Sequence, residues 1–92
     1  MYVHLGGEVV VPVLEIVVVL DIRLVRASEI NRELVGRAVA EKRLHGGGLD
    51  SDCKAIVITT QGRVYTSGIS APTLTKRMTH LQQSAKAWEA ET

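Results

Sequence analysis

Ninety-two residues, 46% of them apolar and 23% charged, make one small globular domain rather than a disordered chain. Eleven basic against ten acidic side chains give a net charge of +1, which excludes a uniformly basic nucleic-acid binder and leaves only a local basic patch. The lone Cys53 excludes an internal disulfide, and with Trp88, Tyr2 and Tyr65 as the aromatic residues the core must be aliphatic.

Tyr2, Val3 and Leu5 open the chain and end at Gly6–Gly7, a pair that marks a tight turn. Tyr2–Leu5 and Glu8–Val11 are expected as short strands. The opening lacks the basic-then-apolar layout of a secretory signal, and Glu8, Pro12, Glu15 and Asp21 interrupt any membrane-length apolar run. A cytoplasmic protein without a membrane partner is expected. Pro12 cannot donate to a ladder and sits at an edge or a bend.

Ile16–Leu20 is a β-branched run closed by Asp21, and it reads as a strand apolar on both faces. Such a strand needs cover on both sides, and a chain this short supplies one helical layer more easily than two. A second subunit is therefore expected to complete the cover, with Ile16, Val18 and Leu20 as interface candidates. Ile22–Ala27 continues extended or turns out of the sheet.

Ser28 is a good N-cap and Glu29 suits the first turn of a helix. Ile30, Leu34, Val35, Ala38 and Val39 form its apolar stripe, and Glu33–Arg37 and Arg37–Glu41 are spaced for pairing. His45–Gly48 stops the helix. Its order, helix then glycines then strand with no Lys-Ser/Thr following, differs from the phosphate-cradling loops.

Lys54–Thr60 alternates Ala55, Val57 and Thr59 against Ile56 and Ile58, Gln61–Gly62 turns, and Arg63–Thr66 returns as a hairpin. Ser70 or Thr73 caps the last helix, with Pro72 in its first turn. Leu74, Met78, Leu81, Ala85 and Trp88 then recur at helical steps. This seam either covers the sheet or, beyond Met78, packs on another subunit, which makes Leu81 and Trp88 further interface candidates. The expected fold is a small single α+β domain with an antiparallel or mixed sheet and two helices.

Little in the sequence nominates catalysis. His4, His45 and His80 have no metal-ligand spacing, Asp50 and Asp52 lie in a Gly-rich loop, and the Ser/Thr hydroxyls have no base beside them. No enzyme activity, metal or cofactor is expected. What remains is surface charge: Lys54, Arg63, Lys76 and Arg77, with Arg23 and Arg26 as weaker candidates, would hold duplex phosphates if symmetry repeated them around an assembly. Such contacts position a duplex rather than read it.

The opening MYVHLGGEVVV, the run EIVVVLD, the start SEINRELV and the segment KAIVITTQGRVYTSGISAPTLTKRM, in that order, resemble the RemA/RemB family of bacterial extracellular-matrix (biofilm) regulators. The Met-Tyr-hydrophobic-His-Leu-Gly opening is closer to the RemB branch. The resemblance covers residues 1–78 and is most specific at the N-terminal block and at Ser70, Thr73, Leu74 and Arg77. Residues 79–92 form a C-terminal helical extension outside it.

The resemblance implies a protein that assembles into closed rings, binds double-stranded DNA around the rim and activates matrix genes. The RemA branch carries DNA-contacting arginines where this chain has Leu14, and as a pair aligned with Ser51 and Asp52; Lys54 is retained. Two functions stay open. One is an oligomeric DNA-binding transcriptional regulator, and the other a non-enzymatic interaction protein that co-assembles with a more basic paralogue.

Overall fold

A computed structural model describes residues 1–7, 9–46, 48–49 and 51–80. β1 (Tyr2–Gly6) and β2 (Val9–Pro12) form an antiparallel hairpin around the Gly6–Gly7 turn, where both residues take positive φ. After a 3-10 turn at Val13–Glu15 the chain enters β3 (Ile16–Asp21). Then follow α1 (Ile22–Ala27), α2 (Glu29–Ala40), β4 (Leu44–His45), β5 (Ala55–Thr59) and β6 (Val64–Ser67). α3 spans residues 71–80.

The expected β5–β6 hairpin is the centre of a four-stranded sheet in the order β3-β5-β6-β4, with β4 parallel to β6 and the other pairs antiparallel. Strand alternation divides the core. Ala55 and Val57 pack with Val3, Leu5, Val11, Val13 and Leu74, under the β1–β2 hairpin and α3. Ile56 and Val64 point the other way, to Ile22, Val25, Val35, Ala38 and Cys53, under α1 and α2.

β3 obeys the same division, with Ile16 and Val19 on the hairpin side and Leu20 on the helical side. Both faces of the apolar run are thus partly covered from within one chain, because the N-terminal hairpin and α3 together make the second layer, and Ile16, Val19 and Leu20 are half-buried. What stays open is narrower. β3 is an edge strand, its register slips between Ile16 and Val18, and the bulged Val17 is 62% exposed.

Three further expectations change. First, Ile22–Ala27 is a helix, so the described residues hold three α-helices and two sheets rather than two helices and one sheet. Asp21 ends β3 and also caps α1, its carboxylate accepting from the Arg23 backbone N–H at 2.8 Å. Second, only Val35 and Ala38 of the α2 stripe are buried, while Ile30 is 76% and Leu34 38% exposed. α2 meets the sheet along the narrow Val35–Ala38 strip, and the residues flanking it overhang. Third, Glu41 pairs with Arg43 at 2.7 Å rather than with Arg37. The caps themselves are as expected: Ser28 Oγ accepts from the Asn31 N–H at 3.3 Å, and Ser70 Oγ from the Thr73 N–H at 3.4 Å. Leu81, Ala85 and Trp88 lie outside the described residues.

The Asp21 cap should be visible in the acid limb of stability. Side-chain hydrogen bonds from Arg23, and then its backbone N–H, hold the Asp21 carboxyl down at about 2. A carboxyl depressed on folding stabilises above its free value of about 4, and that contribution is lost as pH falls through the folded value. Asp21→Asn keeps a capping side chain but cannot titrate. The drop in thermal midpoint between pH 5 and pH 2 should therefore be smaller in Asp21→Asn than in wild type. An equal drop in both would show that the cap carries no acid sensitivity.

Candidate nucleic-acid interface

The six candidate cations do not form one band on the subunit. Lys54 stands before β5, its carbonyl accepting from the Ile22 N–H at 3.0 Å and its N–H donating to Ser67 O at 2.8 Å. Its exposed side chain therefore sits at the sheet end shared with Asp21 and Arg23. Arg23 extends into solvent, but its guanidinium is closed on Asp21, Nε to Oδ1 at 3.1 Å and Nη2 to Oδ2 at 2.9 Å. A cation already neutralised in this way offers less to a phosphate. Arg26 ends α1, where its backbone carbonyl accepts from the Arg32 guanidinium.

Arg63 lies at the opposite end of the β5–β6 hairpin, one strand length or roughly 17 Å from Lys54. Arg43 joins it there, its guanidinium donating to Gly62 O at 2.5 Å. Nothing local in the sequence places Arg43 at that turn. The placement follows from β4 pairing with β6, a two-residue parallel contact.

Lys76 and Arg77 are exposed on α3, and here the fold adds groups that the sequence reading left aside. Arg77 Nη1 donates to the backbone carbonyl of His4 at 3.4 Å, joining α3 to β1. Tyr2, His4, Arg77 and His80 line one cleft, and Thr73, Lys76, Thr79 and again His80 line the adjoining one. Among the described residues no carboxylate lines either cleft. His4 Nε2 lies 2.7 Å from Gly7 O, and because a carbonyl oxygen only accepts, this nitrogen carries the proton. Two cations, two imidazoles and three hydroxyls thus share one outer face of the hairpin–α3 layer. That chemistry suits phosphate oxygens.

The positions of the RemA-branch arginines are also exposed. Leu14 is 93% exposed at the tip of the 3-10 turn, an unusual place for a large apolar side chain. The backbone bond from the Thr60 N–H to Glu15 O, 2.8 Å, sets this turn beside the Arg63 end of the hairpin. Ser51 and Asp52 are exposed before β5, at the Lys54 end. Within one subunit these two places are a full strand apart.

Of the interface candidates, Ile16 and Leu20 are half-buried against the two intramolecular clusters, and Val18 is exposed. Among the described residues no group of His, Cys, Asp and Glu could hold a metal ion, and no helix is long and apolar enough to cross a membrane.

A family model described as RemA-like, extracellular matrix regulatory protein A-like, matches residues 2–78. The match includes both sheets, Lys76 and Arg77, and ends inside α3. No curated protein matches the chain.

Proposed function

Since the chain belongs to the RemA-like family of extracellular matrix regulatory proteins, we propose that it controls matrix genes as a cytoplasmic, non-enzymatic, ring-forming oligomer that holds duplex DNA. Within that family, we read the Met-Tyr-hydrophobic-His-Leu-Gly opening as favouring the RemB branch. The phosphate-holding surface is the outer face of α3 and β1. The observation that carries this reading is the joining of Lys76 and Arg77 to His4 and His80, with no carboxylate lining their clefts among the described residues. Lys54 and Arg63 at the sheet ends add phosphate contacts only when neighbouring subunits bring them into line. The β3 edge, with Val17 and Val18 exposed, supplies an apolar surface for a neighbouring subunit.

Binding of this kind is dominated by counterion release, so affinity falls steeply with salt. Titrating a fluorescent duplex with protein at several salt concentrations should give a linear log–log dependence. Replacing Lys76 and Arg77 with Ala removes two phosphate contacts from each subunit on the duplex and should flatten the slope by roughly 1.8 per bound subunit, about 0.9 per contact. The loss should be equal for related and unrelated sequences, because phosphate contacts carry no base information. A double variant that binds like wild type would put the duplex on another face.

The second reading, co-assembly with a more basic paralogue, is favoured by one specific feature. Leu14 offers a protein partner an apolar knob where a DNA contact would need a cation. If wild type fails to bind duplex even at low salt while Asp52→Arg binds, this second reading replaces the first.

A further inference from the structure

The overhang of α2 leaves an apolar groove. Ile30 and Leu34 form one wall and Ile58 of β5 the other, enclosing about 410 Å³. Glu33, Arg37 and Arg43 stand at its rim. It continues into the open β3 edge, because Val18 pairs with Ile58 across the ladder. Nothing within the described residues covers it.

We propose that the groove is the receptor for the C-terminal segment of a second copy of this chain, with Trp88 seated between Ile30, Leu34 and Ile58. The inference rests on the oligomeric reading above and assigns that assembly a contact made by residues outside the family match. Three observations select this occupant. The family match ends at residue 78, so the segment beyond it lies outside the part of the chain that the family model covers. That segment carries the chain's only tryptophan, on the seam Leu74, Met78, Leu81, Ala85 and Trp88. The first two members of the seam face the core, Leu74 fully and Met78 in part. An indole is the side chain of choice for an apolar cleft rimmed by polar groups.

Charge does not oppose the fit. Glu89 and Glu91 follow Trp88 and Lys86 precedes it, while at the rim Arg43 is already paired with Glu41, which leaves Arg37 beside Glu33. Reach decides between the same copy and another. α3 packs on the hairpin face of the sheet and the groove lies on the α2 face. Packed layers stand about 10 Å apart, so about 20 Å separates them even in a straight line through the sheet. Trp88 is eight residues past His80, roughly 12 Å of helix, so a segment that keeps the seam helical falls short of its own groove. The groove of a neighbour has no such limit.

The test uses Trp88 as its own probe in the full chain. Wild type should show blue-shifted emission in an oligomer confirmed by light scattering. Leu34→Asp, and independently Ile30→Asp, should shift that emission to the red without changing the far-UV spectrum; both sites are solvent-facing, so the fold tolerates them. A Leu34→Asp chain co-refolded with a Trp88→Ala chain then pairs the only tryptophan with the only intact groove. Blue-shifted emission returning in that mixture is the expected result and requires docking between copies. Failure to return, with wild-type emission independent of concentration, would mean that the segment serves its own subunit and would overturn the proposal. So would exposed emission in a wild-type oligomer, or blue-shifted emission that both groove variants leave untouched; in these cases the oligomeric reading stands. A wild-type monomer would remove both.

Discussion

Gly46→Ala should destabilise the protein by about 3 kcal/mol or more, a large share of what a domain this small has to lose. Gly46 sits at φ +107°, a conformation that L side chains rarely adopt. A Cβ there would stand 2.5 Å from Thr66 Oγ1 and 2.8 Å from the Thr66 carbonyl oxygen. The first atom belongs to a short β-branched side chain and the second to the backbone of β6, so neither can swing aside. Thr66 is also fixed by its neighbours. It pairs with Ile56 in the central hairpin, and its hydroxyl accepts from the Gly48 N–H at 3.3 Å. Backbone strain and overpacking each cost about 1–3 kcal/mol, and here they act together.

Two other glycines separate these terms. Gly48 has φ +91° but nothing within 4 Å of a built Cβ, so Gly48→Ala should show the conformational cost alone. Gly36 lies inside α2 with nothing within 4 Å, and Gly36→Ala should stabilise by about 0.5–1 kcal/mol through helix propensity. The measurement is urea unfolding of all three variants. A Gly46→Ala midpoint close to that of Gly48→Ala would show that β4 and β6 can part without cost.

The strands and caps that local chemistry specifies were legible in the sequence. The alternation of Ala55, Val57 and Thr59 against Ile56 and Ile58 fixed both the β5–β6 hairpin and its two-faced core. Ser28 marked the start of α2, and Ser70, one of two candidates with Thr73, that of α3, because a hydroxyl there satisfies an otherwise unpaired N–H. α1 was missed because six residues are too few for a periodic stripe, and because Asp21 reads equally as the end of a strand and as a cap. The α2 stripe showed which residues could be buried, not how wide a strip the sheet would cover. That is why Ile30 and Leu34 stand in a groove.

The candidate site was legible only in part. Lys76 and Arg77 are neighbours in sequence, but their link to His4 spans 73 residues. It exists because the N-terminal hairpin and α3 share a layer, which no local pattern announces. Arg43 and Arg63 meet for the same kind of reason, across β4 and β6.

Leu74→Ala should reach the DNA surface without removing a charge. Leu74 has no exposed surface and packs among Val3, Leu5, Val11, Val13, Ala55 and Val57. It is the fully buried anchor of α3; Ala71 and Met78 contribute partial contacts, and the Arg77–His4 bond is long. Truncating a buried leucine costs about 2–5 kcal/mol, from lost transfer energy and the cavity left behind. The loss falls on the one element that carries Lys76 and Arg77, two and three residues further along the helix. A loosened α3 no longer holds these cations beside His4 and His80, so each phosphate contact must first re-order the helix. Duplex affinity in Leu74→Ala should therefore fall toward that of the Lys76→Ala/Arg77→Ala variant, although its net charge is that of wild type. The control is Val35→Ala, buried on the opposite face under α2 and costing about 2 kcal/mol. With both variants shown to be folded at the assay temperature, Val35→Ala should bind duplex like wild type. Equal weakening in the two would trace the effect to global instability. Wild-type affinity in a destabilised Leu74→Ala would mean that the duplex does not lie on α3.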